Sequence, residues 1–230
     1  MDLVQRYQVG QDKLELLAYV PDYIGDTQEA ALLQHIHASR SGWTQLSGRR
    51  LQSHGGVVHP KGLLQAPLAT WLQPLLQQLH SDTAVFGEQP PNHVLINAYR
   101  AGEGITPHED GPAYWPGVCI LSLAAPAVIR FWRKDGPTGT GLASVQGPPQ
   151  ASLLLQPRSL LVFAGEAYSH CLHGIHPVEE EELDPSCVNL ASCSGIGPGT
   201  ASVARSGERV SLTVRRVARV VKNIVRLGAR

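Results

Sequence analysis

Arg209-Val210-Ser211-Leu212-Thr213-Val214-Arg215 alternates polar and apolar residues without a break. In an extended chain successive side chains point to opposite faces. Val210, Leu212 and Val214 therefore share one face, and Arg209, Ser211, Thr213 and Arg215 the other. The apolar face predicts packing on a core, while the polar face aligns two guanidiniums with two hydroxyls. Fully extended, the arginines stand roughly 20 Å apart at about 3.3 Å per residue, too far to share one carboxylate. Curvature, or a dicarboxylate with two ends, would reconcile them, because bidentate Arg–carboxylate pairing is the strong form of this contact. An ordinary edge strand with solvated arginines fits the same residues.

The texture extends back to Pro91. Short β-rich runs at 93–99, 118–123, 127–132, 152–156, 159–163, 168–175 and 209–217 are separated by Gly and Pro. Runs at this spacing, with no helical period between them, predict a sandwich or jelly roll. The Gly/Pro-rich stretch 134–150 and the acidic, Ser-rich stretch 177–207 read as loops. Ahead of the β-rich region, Asp26-Thr27-Gln28-Glu29 has the form of a capping box with Asp26 as N-cap, and predicts a helix over 27–38. A second helix is predicted from Pro67 to His80, opened by Pro67 and kinked at Pro74. Between them, 41–62 has no period and gathers Trp43, Arg49, Arg50, His54, His59 and Lys61 among glycines, which marks a functional loop. From Arg215 to Arg226 the chain reads as a basic amphipathic helix, with Arg215, Arg219, Lys222 and Arg226 on one face.

Hydrophobic residues make up 43% of the 230 and charged residues 17%, enough for a sizeable core and too few charges for a coiled coil. The expectation is a single domain over 1–230: N-terminal helices and a lid to residue 90, a β core over 91–217 and a basic tail over 218–230. Nineteen basic residues balance nineteen acidic ones, so the whole molecule is no polyanion magnet. Local asymmetry remains, with five acids between Glu179 and Asp184 and eight Lys/Arg between Arg205 and Arg230. The N-terminus lacks the apolar run of a secretory signal, and the longest weakly polar stretch, 117–129, is too short to cross a bilayer. Cys119, Cys171, Cys187 and Cys193 show no C-x-x-C spacing and predict reduced thiols in an intracellular protein.

Two groups of residues can carry metal chemistry. His108-Glu109-Asp110 puts His108 and Asp110 on one face of an extended chain, with Glu109 pointing away. An imidazole nitrogen and a carboxylate oxygen so placed can bind a divalent first-row metal, although a surface turn would read the same. Farther on, His170, His173 and His176 recur every third residue, and spacing does not choose among them. His35 and His37 lie two apart on the first predicted helix, point away from each other and cannot share an ion.

In order and approximate spacing, Asn97-x-Tyr99-x-x-Gly102, His108-x-Asp110, His173-Gly174-Ile175 and Arg209-x-Ser211-x-x-x-Arg215 resemble the AlkB-like Fe(II)/2-oxoglutarate dioxygenases. Leu121-Ser122-Leu123-Ala124-Ala125-Pro126-Ala127 is similar to that family's strand after the H-x-D segment. Trp43-Thr44-Gln45-Leu46-Ser47-Gly48-Arg49 and Pro107-His108-Glu109-Asp110-Gly111-Pro112 resemble the sixth AlkB-homologue subgroup in particular. The resemblance implies a mainly β, double-stranded β-helix (jelly-roll) core with N-terminal helices packed against it. It implies that His108, Asp110 and His173 hold Fe(II), that Asn97 and Tyr99 hydrogen-bond 2-oxoglutarate, and that Arg209 pairs with its far carboxylate. Arg215 would lie nearer the metal. Ser211 stands where the bacterial type member has Asn, and its hydroxyl can still bond a carboxylate. The implied reaction consumes O2 and 2-oxoglutarate, releases succinate and CO2, and hydroxylates a C–H bond; an N-methyl group is then lost as formaldehyde.

The implied substrate is alkylated DNA or RNA, placing the protein in the nucleus or cytoplasm, with a monomer as the expected state. The 41–62 segment matches the family's lid, with Trp43 suited to stacking and Arg49, Arg50 and Lys61 to phosphates; a loop that only shields the iron is the plainer alternative. A protein side-chain hydroxylase or demethylase of the same chemistry, and a catalytically quiet binding module, are the competing functions.

Overall fold

A computed structural model describes residues 3–39, 42–134, 145 and 147–221. Its helices are α1 (Leu3–Arg6), α2 (Asp26–Ala38), α3 (Gln73–Thr83) and α4 (Gly165–Ser169). The strands begin with β1 (Leu17–Val20), β2 (Thr44–Gln45), β3 (Arg50–His54), β4 (Gly56–His59) and β5 (Gly62–Gln65). The β-rich region supplies β6 (His93–Tyr99), β7 (Ile105–His108), β8 (Tyr114–Leu123), β9 (Ala127–Arg133), β10 (Ala151–Leu155), β11 (Leu160–Ala164) and β12 (Cys171–Ile175). Last come β13 (Glu180–Glu182), β14 (Ser202–Ala204), β15 (Arg209–Val217) and β16 (Val220–Val221).

The larger sheet runs β1-β11-β8-β15-β6-β3-β2 and the smaller one β10-β9-β12-β7. From β6 onward the chain passes back and forth between them: β6, β8, β11 and β15 lie in the first, and β7, β9, β10 and β12 in the second. This is the jelly roll that the spacing of the β-rich runs predicts.

The alternation along β15 explains both cores. Val210, Leu212 and Val214 face outward, where they meet Leu32 and Ile36 of α2 and Leu75, Leu76 and Leu79 of α3. Between the sheets lies a second cluster that includes Tyr99, Ile120, Phe131, Leu153 and Phe163. The polar face of β15 therefore turns into the barrel, beside this cluster. β15 is no edge strand: it pairs with β6 and β8 on its two sides, and Arg209 and Arg215 are 2% and 5% exposed.

Several local expectations give way. Asp26 is the first residue of α2, Gly25 is the N-cap, and no side chain caps it. Glu29 instead accepts from Ala124 N–H at 2.8 Å and pairs with Arg158 at 3.2 Å, so long-range contacts outcompete the capping box. Pro74 sits in the first turn of α3, where the missing N–H costs nothing, and a short 3-10 turn, Thr70–Leu72, precedes it. The supposed loop 41–62 is built of short strands, and 168–175 divides between α4 and β12. Arg215–Val217 belongs to β15 and Val220–Val221 pairs in parallel with β5, which excludes a helix there; residues 222–226 of that expectation lie outside the described residues. Within 177–207, β13 and β14 pair as a two-stranded antiparallel sheet rather than a bare loop.

That strand pair is tied to the barrel by a buried ion triad. Glu181, 0% exposed, lies between Arg130 of β9 at 3.2 Å and Arg205, whose Nε donates at 2.7 Å. Arg205 also donates to the carbonyls of Glu103 and His176. Replacing Glu181 with Gln strands two buried guanidiniums and is expected to lower unfolding stability by about 3–5 kcal/mol in urea titration. Glu182→Gln, on the exposed face of β13, should change it by no more than about 0.5 kcal/mol.

Candidate active site

β7 and β12 are neighbours in the smaller sheet, and their register sets His108 directly opposite His173. The strands approach closely because residue 174 is glycine: a Cβ there would lie 2.9 Å from Ile105 O and 3.0 Å from Pro107 N. The two imidazole centroids are 4.4 Å apart. Asp110 follows in the turn between β7 and β8, and one ligand atom from each of His108, Asp110 and His173 lies within 4.8 Å of the others. Strand position also separates the three histidines left open by spacing. His173 points inward and is 8% exposed, whereas His170 ends α4 and His176 lies exposed beyond β12 against Trp132.

The donor set has the chemistry of a divalent-metal site. His108 Nδ1–H donates to Thr106 O at 2.9 Å, which leaves the Nε2 lone pair available to an ion. Asp110 Oδ1 accepts from Arg215, while Asp110 Oδ2 is buried and has no partner. A buried carboxylate oxygen without a donor is costly, and a cation would satisfy it. Burial keeps both imidazoles neutral, as a metal requires: His108 is shifted below the ordinary histidine value, and His173 is pushed down to about 3, chiefly by desolvation and then by its neighbour His108.

All the residues expected to bind co-substrate line the same cleft of about 270 Å³: Asn97 and Tyr99 from β6, and Arg209, Ser211 and Arg215 from β15. Arg209 lies opposite Tyr99, and Ser211 opposite Asn97. The guanidinium of Arg209 donates from Nη2 to Ser122 Oγ at 2.9 Å, and its Nε and Nη1 are buried with no partner. Desolvation pulls its pKa down to about 10, the mark of a cation without a counter-ion. An incoming carboxylate would answer this deficit. The distance between the two arginines, a difficulty for one carboxylate, becomes a division of position: Arg215 holds Asp110 beside the histidines, and Arg209 sits farther along the strand.

The lid residues separate. Arg49 enters the cleft and donates from Nε to Asn97 Oδ1 at 3.1 Å. Trp43 and Arg50 do not line it. Arg50 lies over the Trp43 ring at 4.5 Å and makes a bidentate pair with Glu208 at 3.2 and 2.7 Å, so neither is presented to a base or phosphate as expected. Lys61 stands in the exposed turn between β4 and β5, away from the cleft lining. Three contributors escaped the sequence reading. Tyr114 stacks on Arg215 at 4.0 Å, Ser122 receives Arg209, and Thr213 lies 3.5 Å from Asn97 Nδ2. The polar face of 209–215 pointed to Thr213; no pattern singles out Tyr114 or Ser122.

The comparisons agree with this geometry. Residues 11–215 match the family described as the 2OG-Fe(II) oxygenase superfamily. The chain is 37% identical over 217 residues to the "Probable RNA/DNA demethylase ALKBH6" of Danio rerio, covering 91% of this chain and 89% of that one. It is 24% identical over 211 residues to the Xenopus tropicalis "tRNA (carboxymethyluridine(34)-5-O)-methyltransferase alkbh8", covering 87% of this chain and 31% of that protein. Among solved structures, OsALKBH1 superposes with a TM-score of 0.51 at 12% identity, covering 87% and 97% of the two chains. A Pseudomonas putida prolyl-4-hydroxylase follows at 0.50 and 14%, covering 87% and 92%. The chain belongs to the 2OG-Fe(II) oxygenase superfamily and, within it, to the AlkB-like group that includes the Danio rerio protein. It is thus an oxidoreductase that uses Fe(II), 2-oxoglutarate and O2.

His93 supplies a test of the site's electrostatics. It is 2% exposed, with Nε2 at 3.1 Å from Ser53 Oγ, and burial together with the Arg215 charge lowers its pKa from 6.5 to about 4. An unfolded chain binds that proton near pH 6.5 and the folded chain only near 4, so acid favours unfolding across this window. Metal-free protein is expected to lose up to about 3 kcal/mol through His93 between pH 6.5 and 4. Chemical denaturation of wild type and His93→Gln at several pH values isolates this loss as their difference.

Proposed function

We propose that the protein oxidatively removes alkyl groups from nucleic-acid bases. His108, Asp110 and His173 would hold the ferrous ion, and Asn97, Tyr99, Arg209, Ser211 and Arg215 the 2-oxoglutarate. The carrying observation is one cleft that contains both an orphaned carboxylate oxygen beside two neutral imidazoles and an orphaned guanidinium beyond them. The nucleic-acid assignment draws on the names of the Danio rerio and Xenopus tropicalis relatives. Four free cysteines accord with a nuclear or cytoplasmic setting.

When bound, the ion and co-substrate would together supply oxidation of a C–H bond by O2, one oxygen atom going to the carbon and the other to the succinate formed as 2-oxoglutarate loses CO2. On an N-methyl group the hydroxylated carbon departs as formaldehyde. The residues of this chain do the positioning. Arg209 would pair with the far carboxylate of the co-substrate, and Asn97 and Tyr99 would hydrogen-bond it, with Ser211 opposite Asn97 on the neighbouring strand. Arg215 orients Asp110 through Oδ1, with the Tyr114 ring fixing the guanidinium plane. Ile105, Ile120, Ile129 and Ile175 give the cleft apolar walls that limit water at the reacting carbon.

Succinate and formaldehyde release across a panel of alkylated DNA and RNA oligonucleotides tests the function. Wild type should turn over at least one member, with His108→Ala and Asp110→Ala at background. Turnover of a peptide panel with no oligonucleotide active would move the chemistry to a protein side chain. Arg209→Met gives an independent check on co-substrate binding. Removing an uncompensated buried charge should leave the apo protein as stable or about 1–4 kcal/mol more stable in denaturant. The same change should weaken 2-oxoglutarate binding by about 2–5 kcal/mol in calorimetry.

A further inference from the structure

An amide side chain suits an anion at one end only. Its NH2 donates and its carbonyl repels, and a half-turn about Cβ–Cγ exchanges them. Asn97 of β6 is 7% exposed and lines the cleft. Its orientation is decided by Arg49, whose Nε–H can only donate and at 3.1 Å claims Asn97 Oδ1. Nδ2 is thereby turned toward β15, where its contact is slack, 3.5 Å from Thr213 Oγ1. A firm bond holds the acceptor end, and a weak one leaves the donor end open to a better acceptor.

Arg49 is itself held in place. β3 pairs with β6 in a register that sets Leu51 opposite Asn97, so the residue just ahead of β3 arrives beside the amide. Leu46 N–H donates to Arg49 O at 2.8 Å, closing the turn before β3, and Gly104 N–H donates to Gly48 O at 3.0 Å. A Cβ on Gly48 would come within 2.6 Å of Gly104 O, so the turn sits this close to the β6–β7 loop only with glycine there. Two roles are open to a guanidinium so placed: meeting an anion through its own charge, or turning Asn97. Arg209, with Nε and Nη1 buried and unpartnered, already answers to the first. The second belongs to Arg49, the one donor to Asn97 Oδ1 among the described residues. We propose that Arg49 is a positioning residue for the co-substrate, which acts through Nε to present the Asn97 NH2 to 2-oxoglutarate. The proposal rests on the co-substrate assignment of Asn97 above and deepens it. Co-substrate affinity then depends on the seating of the turn before β3, although that turn need not touch the co-substrate.

The test is calorimetry of 2-oxoglutarate binding to the full-length, Mn(II)-loaded protein. Two neutral replacements separate the donor from the charge: Gln carries an NH2 where arginine has Nε, and Met carries a methyl there. Asn97→Ala is expected to weaken binding about tenfold and Arg49→Met about fivefold, the scale of one lost hydrogen bond to a charged group. Arg49→Gln should stay within about twofold of wild type. The double variant Asn97→Ala/Arg49→Met should bind no more weakly than Asn97→Ala alone, whereas independent effects would multiply to about fiftyfold. A merely structural role would lower the thermal midpoint of metal-free Arg49→Met and persist in the Asn97→Ala background; the positioning role does neither. Equal weakening by Gln and Met, or a multiplicative double variant, overturns the proposal and makes Arg49 a direct partner of the co-substrate. If Asn97→Ala binds as wild type does, the co-substrate assignment of Asn97 fails and takes the proposal with it. If Asn97→Ala weakens binding while Arg49→Met does not, the positioning role fails alone.

Discussion

The barrel interior holds positive charge that the protein does not neutralise. Arg209 and Arg215 are nearly inaccessible, and three of their nitrogens have no partner. Burying a guanidinium this way opposes folding, so the surrounding structure must force it. β15 does so because Val210, Leu212 and Val214 are claimed by the helix-side core, and the twofold period of a strand then sends Arg209, Ser211, Thr213 and Arg215 inward. A slip of one residue would expose the valines to the cleft and the arginines to α2 and α3, losing both cores together. Hydrophobic burial on one face thus supplies the force that holds desolvated charge on the other.

The same alternation explains why much of the site was legible. His93–Tyr99 is a strand over the run first delimited, and the neighbouring β-rich runs differ from their strands mostly at the ends. Arg209, Ser211 and Arg215 share one face by strand period alone, so the sequence places them together. His173 was not separable from His170 and His176 by spacing, because the choice depends on where α4 ends and β12 begins. The resemblance chose it; the register opposite His108 gives the physical reason. The 41–62 segment was misread for a related cause. Its strand β3 is added to the sheet by pairing with β6, a long-range partner that a local window cannot detect, and β2 pairs in turn with β3 at the edge. Arg50 looked available only because Glu208 lies 158 positions away. Tyr114 likewise takes its meaning from a ring contact with Arg215 across the sheet.

The two sheets contribute different halves of the chemistry. His108 and His173 come from the smaller sheet and Asp110 from the turn leaving it, whereas the residues proposed to hold the co-substrate come from adjacent strands of the larger one. The Arg215–Asp110 pair joins these halves across the cleft. Asp110 would offer Oδ2 to an ion held with the histidines while Oδ1 meets Arg215, so one side chain links the two sheets. A ligand recognised by both halves binds the closed barrel and not the unfolded chain, and it stabilises that closure in proportion to the logarithm of its concentration over its dissociation constant. Orphaned donors and acceptors in the cleft are therefore not faults in packing. On the proposed assignment the metal and the co-substrate would be their missing partners, so that the same groups that oppose folding would favour ligands of the opposite charge.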